Sequence, residues 1–329
     1  MKRSPLLRAA ALFATLFAFA GCRSTLTGND GNLEFSYVAD DDVRDFNKPI
    51  AVGAKLDLSV HTAGDHRKVE LLDASTDDEA VLKVDGKLGN SLTLLGTGSG
   101  GALVSVEAKT PTGETLSDSV NMLARVPEVL KAWHTCGGDS EGIYLVGQPI
   151  VVGFDMEMSN GQNVIGYGYH PITVEPAAAL TLDQITKDQQ FFHFETAATA
   201  QTATIKSTLD STTLTVRLVE AAAIDGAVFG VEGDHKVRTA DDGFFHVMPT
   251  VGGKRVCQAS TTLTVESQTP EICTAQNSSQ GDDDFAHETQ WIKVTGKSVG
   301  TCTLGVTFTR GAGGAGATAQ LSVEVVERF

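Results

Sequence analysis

Hydrophobic and polar residues alternate in short runs along most of the chain. From Leu33 onward, runs such as residues 56–60 (LDLSV) and 214–219 (LTVRLV) place an apolar residue at every second position. This period of two buries one face of a strand and exposes the other, which is typical of antiparallel sheets. Turn residues interrupt the runs about every 8–12 residues, the spacing found in sandwiches and barrels. The pattern therefore predicts an all-β protein.

The chain also contains an internal repeat of about 100 residues. Three segments match as closing strands: 119–123, 214–220 and 321–327. Each follows a matching penultimate strand, at 102–106, 203–205 and 302–306 respectively. Because about 100 residues make one seven-stranded sandwich, the repeat predicts three tandem sandwiches with boundaries near 126 and 221. We expect each repeat to close its own core.

Two segments of the third repeat resemble a known family. Residues 270–275 (PEICTA) and 294–304 (VTGKSVGTCTL) are similar to the bacterial Ig-like domains of the group-2, intimin/invasin type. The first repeat matches the same pattern more weakly, at 79–84 and 95–102. The resemblance implies tandem Ig-like β-sandwiches in an extracellular setting, and it brings no catalytic residues.

The N-terminus reads as an export signal. Three basic residues, Lys2, Arg3 and Arg8, precede a 12-residue apolar run over 9–20. That run is too short for a transmembrane helix, which needs about 20 residues. It ends at Phe19-Ala20-Gly21-Cys22, which resembles the lipobox of bacterial lipoproteins. The resemblance implies cleavage after residue 21 and a diacylglycerol on the Cys22 thiol. Ordinary secretion with cleavage nearby, or no export, are the alternatives.

Lipidation at Cys22 has consequences for location. Two or three acyl chains hold a protein in a bilayer effectively permanently. Arg23 stands where the lipoprotein family's inner-membrane retention signal has an Asp, so the resemblance implies the outer membrane or cell surface. The polar, Gly-containing segment after the cysteine predicts a flexible tether. The predicted organisation is a signal peptide (1–21), a tether (22–32) and Ig-like sandwiches over 33–126, 127–221 and 222–329.

Charge excludes some partners. The 329 residues include 41 acidic side chains and 25 Lys and Arg, a net charge of −16. This charge disfavours binding to nucleic acid or to anionic lipid surfaces. Because 20% of the residues are charged and 41% are hydrophobic, the chain is neither a disordered tail nor a multispan membrane protein.

The cysteines other than Cys22 are even in number, as expected for disulfides in an exported protein. They are Cys136, Cys257, Cys273 and Cys302. Cys302 is in phase with the apolar positions of its strand, and Cys273 stands where the first repeat has Leu82, so both should face the third core. We therefore favour a Cys273–Cys302 bond, with Cys257–Cys273 as the rival.

Two acidic clusters in predicted loops are candidate calcium ligands: Asp40, Asp41 and Asp42, and Asp282, Asp283 and Asp284. Calcium takes six to eight oxygen ligands, which clustered carboxylates supply. The alternative is ordinary solvated loop charge. Calcium is the only cofactor that the sequence suggests.

Tyr167 and Tyr169 alternate with glycines and are predicted to share one face of a strand. Such a pair could form a platform for a sugar ring or a peptide. The alternative is a core strand whose ring fills a sandwich. The chain has only two tryptophans, Trp133 and Trp291, which argues against glycan binding as the main role.

No enzyme is expected, since the eight histidines are scattered without an HExxH motif and no GxSxG motif occurs. The sequence predicts a lipid-anchored envelope or surface protein of structural or adhesive type. Its partners would be membrane lipid, through Cys22, and an unknown envelope or extracellular protein or glycan. The alternative is an accessory binding lipoprotein of an envelope complex.

Overall fold

The computed structural model describes residues 25–37, 48–136, 141–231, 233–259, 261–278, 290–309 and 317–328. Over these ranges the regular structure is 27 strands and one short 3₁₀ helix, Ala221–Ala223. The prediction of an all-β fold made of tandem sandwiches is confirmed. Among the described residues no helix is long and apolar enough to span a bilayer.

The first sandwich contains nine strands in two sheets, with strand orders β1-β2-β4-β7-β6 and β3-β9-β8-β5. The strands are β1 (Thr25–Thr27), β2 (Leu33–Tyr37), β3 (Ile50–Ala51), β4 (Lys55–Thr62), β5 (Glu70–Thr76), β6 (Leu82–Leu88), β7 (Ser91–Gly96), β8 (Gly100–Lys109) and β9 (Thr115–Arg125). In β4 every second residue is buried, as the alternation predicts.

The second sandwich consists of two layers. One is a sheet of order β10-β12-β16-β15, in which β13 also pairs with β12, and the other is the run β14-β17-β18-β11. Its strands are β10 (Val129–His134), β11 (Ile143–Leu145), β12 (Pro149–Glu157), β13 (Asn163–Val164), β14 (Ile172–Glu175), β15 (Leu180–Leu182), β16 (Phe191–Thr196), β17 (Gln201–Ser207) and β18 (Thr213–Val219). The ring of Phe154 stacks on that of Phe192 in its core, with centroids 3.9 Å apart.

The third sandwich also consists of two layers. One is the run β22-β21-β25-β24, in which β19 also pairs with β21, and the other is a sheet of order β20-β27-β26-β23. Its strands are β19 (Gly226–Phe229), β20 (Lys236–Arg238), β21 (Asp242–Val251), β22 (Lys254–Cys257), β23 (Thr262–Ser267), β24 (Cys273–Ser278), β25 (Trp291–Gly296), β26 (Gly300–Thr309) and β27 (Ala317–Val326).

The internal repeat is visible as one pairing scheme used three times. Each closing strand (β9, β18 and β27) pairs antiparallel with the penultimate strand of its sandwich (β8, β17 and β26). On its other edge, each closing strand pairs in parallel with a short strand, β3, β11 or β20. The same local topology therefore recurs in all three sandwiches.

Each hydrophobic core contains residues from a neighbouring repeat. Ile165 packs into the first core, and Ala51 and Ala54 pack into the second. Ile143 and Leu145 belong to the third core, whereas Cys257 belongs to the second. The expectation that each repeat closes its own core is therefore wrong, because neighbouring repeats supply part of each core. The boundaries near 126 and 221 stay a prediction.

Strand β11 is shared between the second and third sandwiches. It pairs in parallel with β18 on one side and with β22 on the other, which joins both sandwiches in one nine-stranded sheet. Successive side chains of a strand point to opposite faces. Tyr144 therefore lies in the second core, while Ile143 and Leu145 lie in the third, and all three are fully buried.

The segment predicted as a tether is held against the first sandwich. Strand β1 pairs antiparallel with β2. The buried Asp118 carboxylate accepts backbone N–H bonds from Asp30, Asn32 and Leu33 at 2.8–2.9 Å. Burial raises the pKa of Asp118, but these bonds and one from Ser119 outweigh burial and hold its pKa below the ordinary value. The prediction of a flexible tether over 22–32 is therefore wrong for residues 25–32.

Candidate functional site

Several predicted site residues lie outside the described residues. These are Cys22, the carboxylates Asp40, Asp41 and Asp42, and the carboxylates Asp282, Asp283 and Asp284. Lipidation at Cys22 and calcium binding at the two acidic clusters stay predictions. Within the described ranges no group of three or more His, Cys, Asp or Glu side chains is arranged to hold a metal ion.

The two tyrosines do not form an exposed platform. Gly166 and Gly168 have positive φ angles of 129° and 79°, which interrupt the extended strand predicted there. Instead, two isolated β-bridges join this segment to the first sandwich. Ile165 pairs with Ile50, and Tyr167 pairs with Lys55. Tyr167 is buried at this contact, so the prediction of a ligand platform is wrong.

Tyr169 packs against the same contact. Its ring lies over Gly53, whose φ is 95° and where an added Cβ would come within 2.8 Å of the ring. The alternative prediction, a core ring that fills a sandwich, fails for Tyr167, which lies between two sandwiches, whereas Tyr169 also packs against the second core. We call this contact between the first and second sandwiches, formed by residues 50–57 and 163–169 with Lys187, the first seam.

A half-buried carboxylate of the first sandwich organises the first seam. One oxygen of Asp57 accepts hydrogen bonds from the Tyr167 hydroxyl at 2.8 Å and from the Thr93 hydroxyl at 2.5 Å. The other oxygen accepts from Lys187 Nζ at 2.7 Å, and this ammonium lies 5.2 Å from the centroid of the Tyr167 ring. Since Tyr167 and Lys187 belong to the second sandwich, these bonds fix how the two sandwiches are oriented.

The charge of Asp57 depends on these partners. Burial raises the pKa of Asp57, but the hydrogen bonds from Lys187, Thr93 and Tyr167 outweigh burial and keep its pKa below the ordinary value. Burial also raises the pKa of Tyr167, so the phenol stays protonated and donates. The seam is therefore built around an ionised carboxylate.

Replacing Asp57 with asparagine should destabilise the first seam by about 1–2 kcal/mol at pH 7, since charged hydrogen bonds are lost. Because the folded-state pKa is depressed, this contribution is fully present above about pH 4 and is lost as the pH falls through that depressed pKa. Urea unfolding of both proteins at pH 7 and pH 3 would measure the difference. Glu175→Gln, which removes only the exposed pair with Lys206, is the control and should change stability by less than about 0.5 kcal/mol. A pH-independent difference for Asp57→Asn would contradict this account.

The second seam joins the second and third sandwiches through β11, a disulfide and one glutamine. Cys136 is bonded to Cys257, with Cα atoms 5.4 Å apart and a sequence separation of 121. The buried Gln258 side chain accepts from the Val151 N–H at 2.7 Å and donates to the Val151 carbonyl at 2.8 Å, and it also donates to the Thr135 hydroxyl. A covalent bond and a two-way amide contact therefore fix this seam.

The structure also contains the favoured Cys273–Cys302 disulfide, with Cα atoms 5.7 Å apart, inside the third core. The rival Cys257–Cys273 pairing is not formed, because Cys257 is bonded to Cys136. Sequence reasoning missed the Cys136–Cys257 bond because the predicted boundaries placed these cysteines in different sandwiches. The bond could have been found by elimination, because once Cys273 pairs with Cys302, only Cys136 and Cys257 remain besides Cys22.

Aromatic rings gather at one edge of the third sandwich. Strand β19 pairs with β21 as far as Phe229 opposite Val247, and the Gly230 N–H then donates to the His246 carbonyl at 2.9 Å. Beside this point lies a groove of about 300 Å³, which we call the aromatic groove. Its lining residues are Phe229, Val231, Gly233, Asp234, His235, Phe244, Phe245, His246 and Trp291.

The rings of the aromatic groove support one another. Phe229 stacks on His235 with centroids 3.8 Å apart, and Phe245 lies 5.6 Å from Phe229. His246 and Trp291 are cross-strand neighbours with centroids 5.4 Å apart. A Cβ on Gly230 would meet His246 Nδ1 at 2.2 Å, so only glycine lets this imidazole lie against the backbone. The groove is thus built from packed rings.

Part of the apolar lining faces solvent. Phe244 is 38% exposed and Val231 is 70% exposed. Sequence reasoning missed this groove because its residues come from three separated segments. The signal that could have found it is Phe244, a large apolar residue on the outer face of β21, where alternation calls for a polar one.

Comparisons with known proteins give only distant similarities. No protein-family model matches the chain, and no curated protein matches it. Among solved structures it is similar to domains 4–9 of the surface layer protein SbsC, with 19% identity over 90% of this chain and 47% of that one, at a TM-score of 0.27. The chain thus spans about half of that fragment.

Two further solved structures are similar at the same low level. The Escherichia coli adhesin FdeC has 12% identity over 92% of this chain and 98% of its own, at a TM-score of 0.26. Invasin, a bacterial integrin-binding protein, has 11% identity over 90% and 60% respectively, at a TM-score of 0.23. Similarities this low assign no function, and the fold assignment rests on the strand pairing described above.

Proposed function

We propose that this chain is a lipid-anchored protein of the bacterial outer envelope, of structural or adhesive type, that presents its third sandwich to a partner. The observation that carries the proposal is the construction of two fixed seams between the proposed anchor and the aromatic groove. Domains joined by small polar contacts move relative to one another by default. Here a charged network closes the first seam, and a shared sheet with a disulfide closes the second.

The short distance between Cys22 and the first strand supports a structural role. Two residues separate Cys22 from Thr25, where β1 begins. At about 3.5 Å per extended residue, this linker spans only about 10 Å. A lipid on Cys22 would therefore hold the first sandwich at the bilayer surface. Cleavage before Cys22 removes Lys2, Arg3 and Arg8 and changes the net charge from −16 to −19, which opposes adhesion to an anionic leaflet.

The same short linker also fits a second candidate function, an accessory binding lipoprotein of an envelope complex. A body held within about 10 Å of the membrane can reach only partners close to that membrane. Lysine biotinylation of intact cells separates the two functions. Labelling before outer-membrane permeabilisation supports the surface protein, and labelling only afterwards supports the accessory protein.

The anchor has a direct test. Wild-type protein should partition into the detergent phase, because its acyl chains are buried in micelles, whereas Cys22→Ser should be soluble or accumulate as uncleaved precursor. Phase partition and the mass of the mature N-terminal peptide are the measurements. Ser24→Ala keeps the cysteine and should behave as wild type. Wild-type protein found free in the culture medium would defeat the proposal.

A further inference from the structure

We infer that the aromatic groove of the third sandwich binds a pyranose ring of an uncharged glycan. This inference deepens the proposed function, since it names the ligand of the surface that the proposed function presents. It rests on the lining of the groove, its size, its charge and the exposure of Phe244.

The lining combines ring faces with a few polar groups. Ligand sites are mostly apolar, with a small number of polar groups that fix orientation. Phe244 and Trp291 contribute aromatic rings to the lining, while His235 and Asp234 contribute nitrogen and oxygen atoms. A pyranose ring matches this division, because one face carries C–H groups and its edge carries hydroxyls that donate and accept.

The size of the groove favours a small ligand. A volume of about 300 Å³ lies at the lower end of the range for small-molecule sites, which runs from about 300 to 1,000 Å³. This space suits one or two sugar rings. It is too small for an amphipathic helix, whose diameter with side chains is about 10 Å.

Charge around the groove favours a neutral ligand. Asp234 is paired with Lys236 at 2.7 Å, and the neighbouring Asp242 is paired with Lys293 at 2.6 Å. Each of these two carboxylates is thus balanced by an ammonium. The net charge of −16 also disfavours anionic glycans at long range.

A proline-rich peptide is the competing ligand, because aromatic grooves also bind such segments. Proline has no backbone N–H, so a polyproline strand presents carbonyl acceptors and offers no donor to the Asp234 carboxylate. Sugar hydroxyls donate to that carboxylate and also to His235 Nδ1, which accepts because His235 Nε2 donates to the Val231 carbonyl at 2.9 Å. The polar rim therefore favours the sugar.

The chain supplies its own probe for the test. It contains two tryptophans, and Trp133 lies on β10 of the second sandwich. Trp133→Phe in the soluble Cys22→Ser chain leaves Trp291, in the groove, as the sole tryptophan. Titration with cellohexaose, laminarihexaose, maltohexaose, mannohexaose and chitohexaose, to about 10 mM, should give a saturable change of emission with at least one sugar, with Kd near or below about 1 mM.

Variants localise the binding. Phe244→Ala should weaken it at least tenfold, since a stacking face is removed. Asp234→Asn, at an exposed position, should weaken it about threefold because a charged acceptor is lost. Trp133→Ala is the matched control: its ring is 40% exposed, against 38% for Phe244, and it lies outside the groove, so Kd should stay within about twofold.

Three results would overturn the inference. They are the absence of any response to all five sugars, a saturable response to decaproline in their place, and equal sugar affinity for Phe244→Ala and its parent. Circular dichroism verifies that each variant is folded. Because the soluble Cys22→Ser chain is used throughout, failure here leaves the detergent partition of wild type untouched, and failure of the anchor leaves this titration valid.

Discussion

Replacing Cys136 and Cys257 with alanine is expected to separate the unfolding of the third sandwich from that of the second. The bond closes a loop with a sequence separation of 121. In the chain-entropy model, a loop of this length restricts the unfolded chain enough to contribute about 4–5 kcal/mol. Scanning calorimetry should show one joint transition in wild type. The double variant should show two transitions, the lower one shifted down by more than about 10 °C.

A matched control comes from the other disulfide. Replacing Cys273 and Cys302 with alanine opens a loop with a separation of 29, worth about 3.5 kcal/mol, that lies wholly within the third sandwich. That variant should lower the stability of the third sandwich without changing how it is coupled to the second through Gln258 and Cys257. A single transition at unchanged temperature for the Cys136/Cys257 variant would show that the disulfide contributes little to the seam.

Ile143→Ala is expected to weaken the third sandwich by about 3 kcal/mol, although residue 143 precedes the predicted boundary near 221. Its side chain is fully buried in the third core, and truncation of a buried isoleucine leaves a cavity. Hydrogen exchange followed by mass spectrometry should show faster exchange in β25 and β26. The first sandwich should be unaffected.

The control for this prediction is Ile185→Ala in the second sandwich. Ile185 is 90% exposed, so its truncation should change stability by less than about 0.5 kcal/mol. If Ile143→Ala speeds exchange only in the strands of the second sandwich, the assignment of the Ile143 side chain to the third core is incorrect.

The sequence was informative where structure depends on local periodicity. Alternation in segments such as 56–60 predicted one-sided burial, and β4 shows it. The matches among the closing and penultimate strands predicted an internal repeat, which the structure shows as the same antiparallel pairing in all three sandwiches. Both signals work because a half-buried antiparallel strand leaves its period in the sequence.

The seams were missed because they depend on contacts between distant segments. Residues 143–146 (IYLV) are apolar without alternation, the pattern of a strand buried on both faces, and this pattern could have identified β11. No comparable signal marks the first seam, where Asp57 meets Lys187 from 130 residues away. The restraint of residues 25–32 likewise depends on Asp118, which lies more than 80 residues further along the chain.

The candidate site residues were likewise predicted correctly only where they lie on regular strands. The Cys273–Cys302 disulfide was favoured because both cysteines lie on regular strands, where the inward-facing positions can be counted. Tyr167 and Tyr169 were misplaced, because positive φ angles at the glycines between them break the strand period on which the platform depended. The aromatic groove combines Phe229, Phe244 and Trp291 from separate strands, and no local window contains all three.

The Cys136–Cys257 bond also determines how the molecule would bear mechanical load. A pulling force applied between Cys22 and a ligand on the third sandwich enters the second sandwich through β10. From Cys136 the force passes directly to Cys257 and reaches the groove at residues 229–246 through β22 and β21, so it bypasses the rest of the second sandwich. At about 3.5 Å per residue, residues 141–221 hold about 280 Å of contour length, which tension cannot release while the bond is intact. Under shear the second sandwich would therefore act as an inextensible link rather than as a spring.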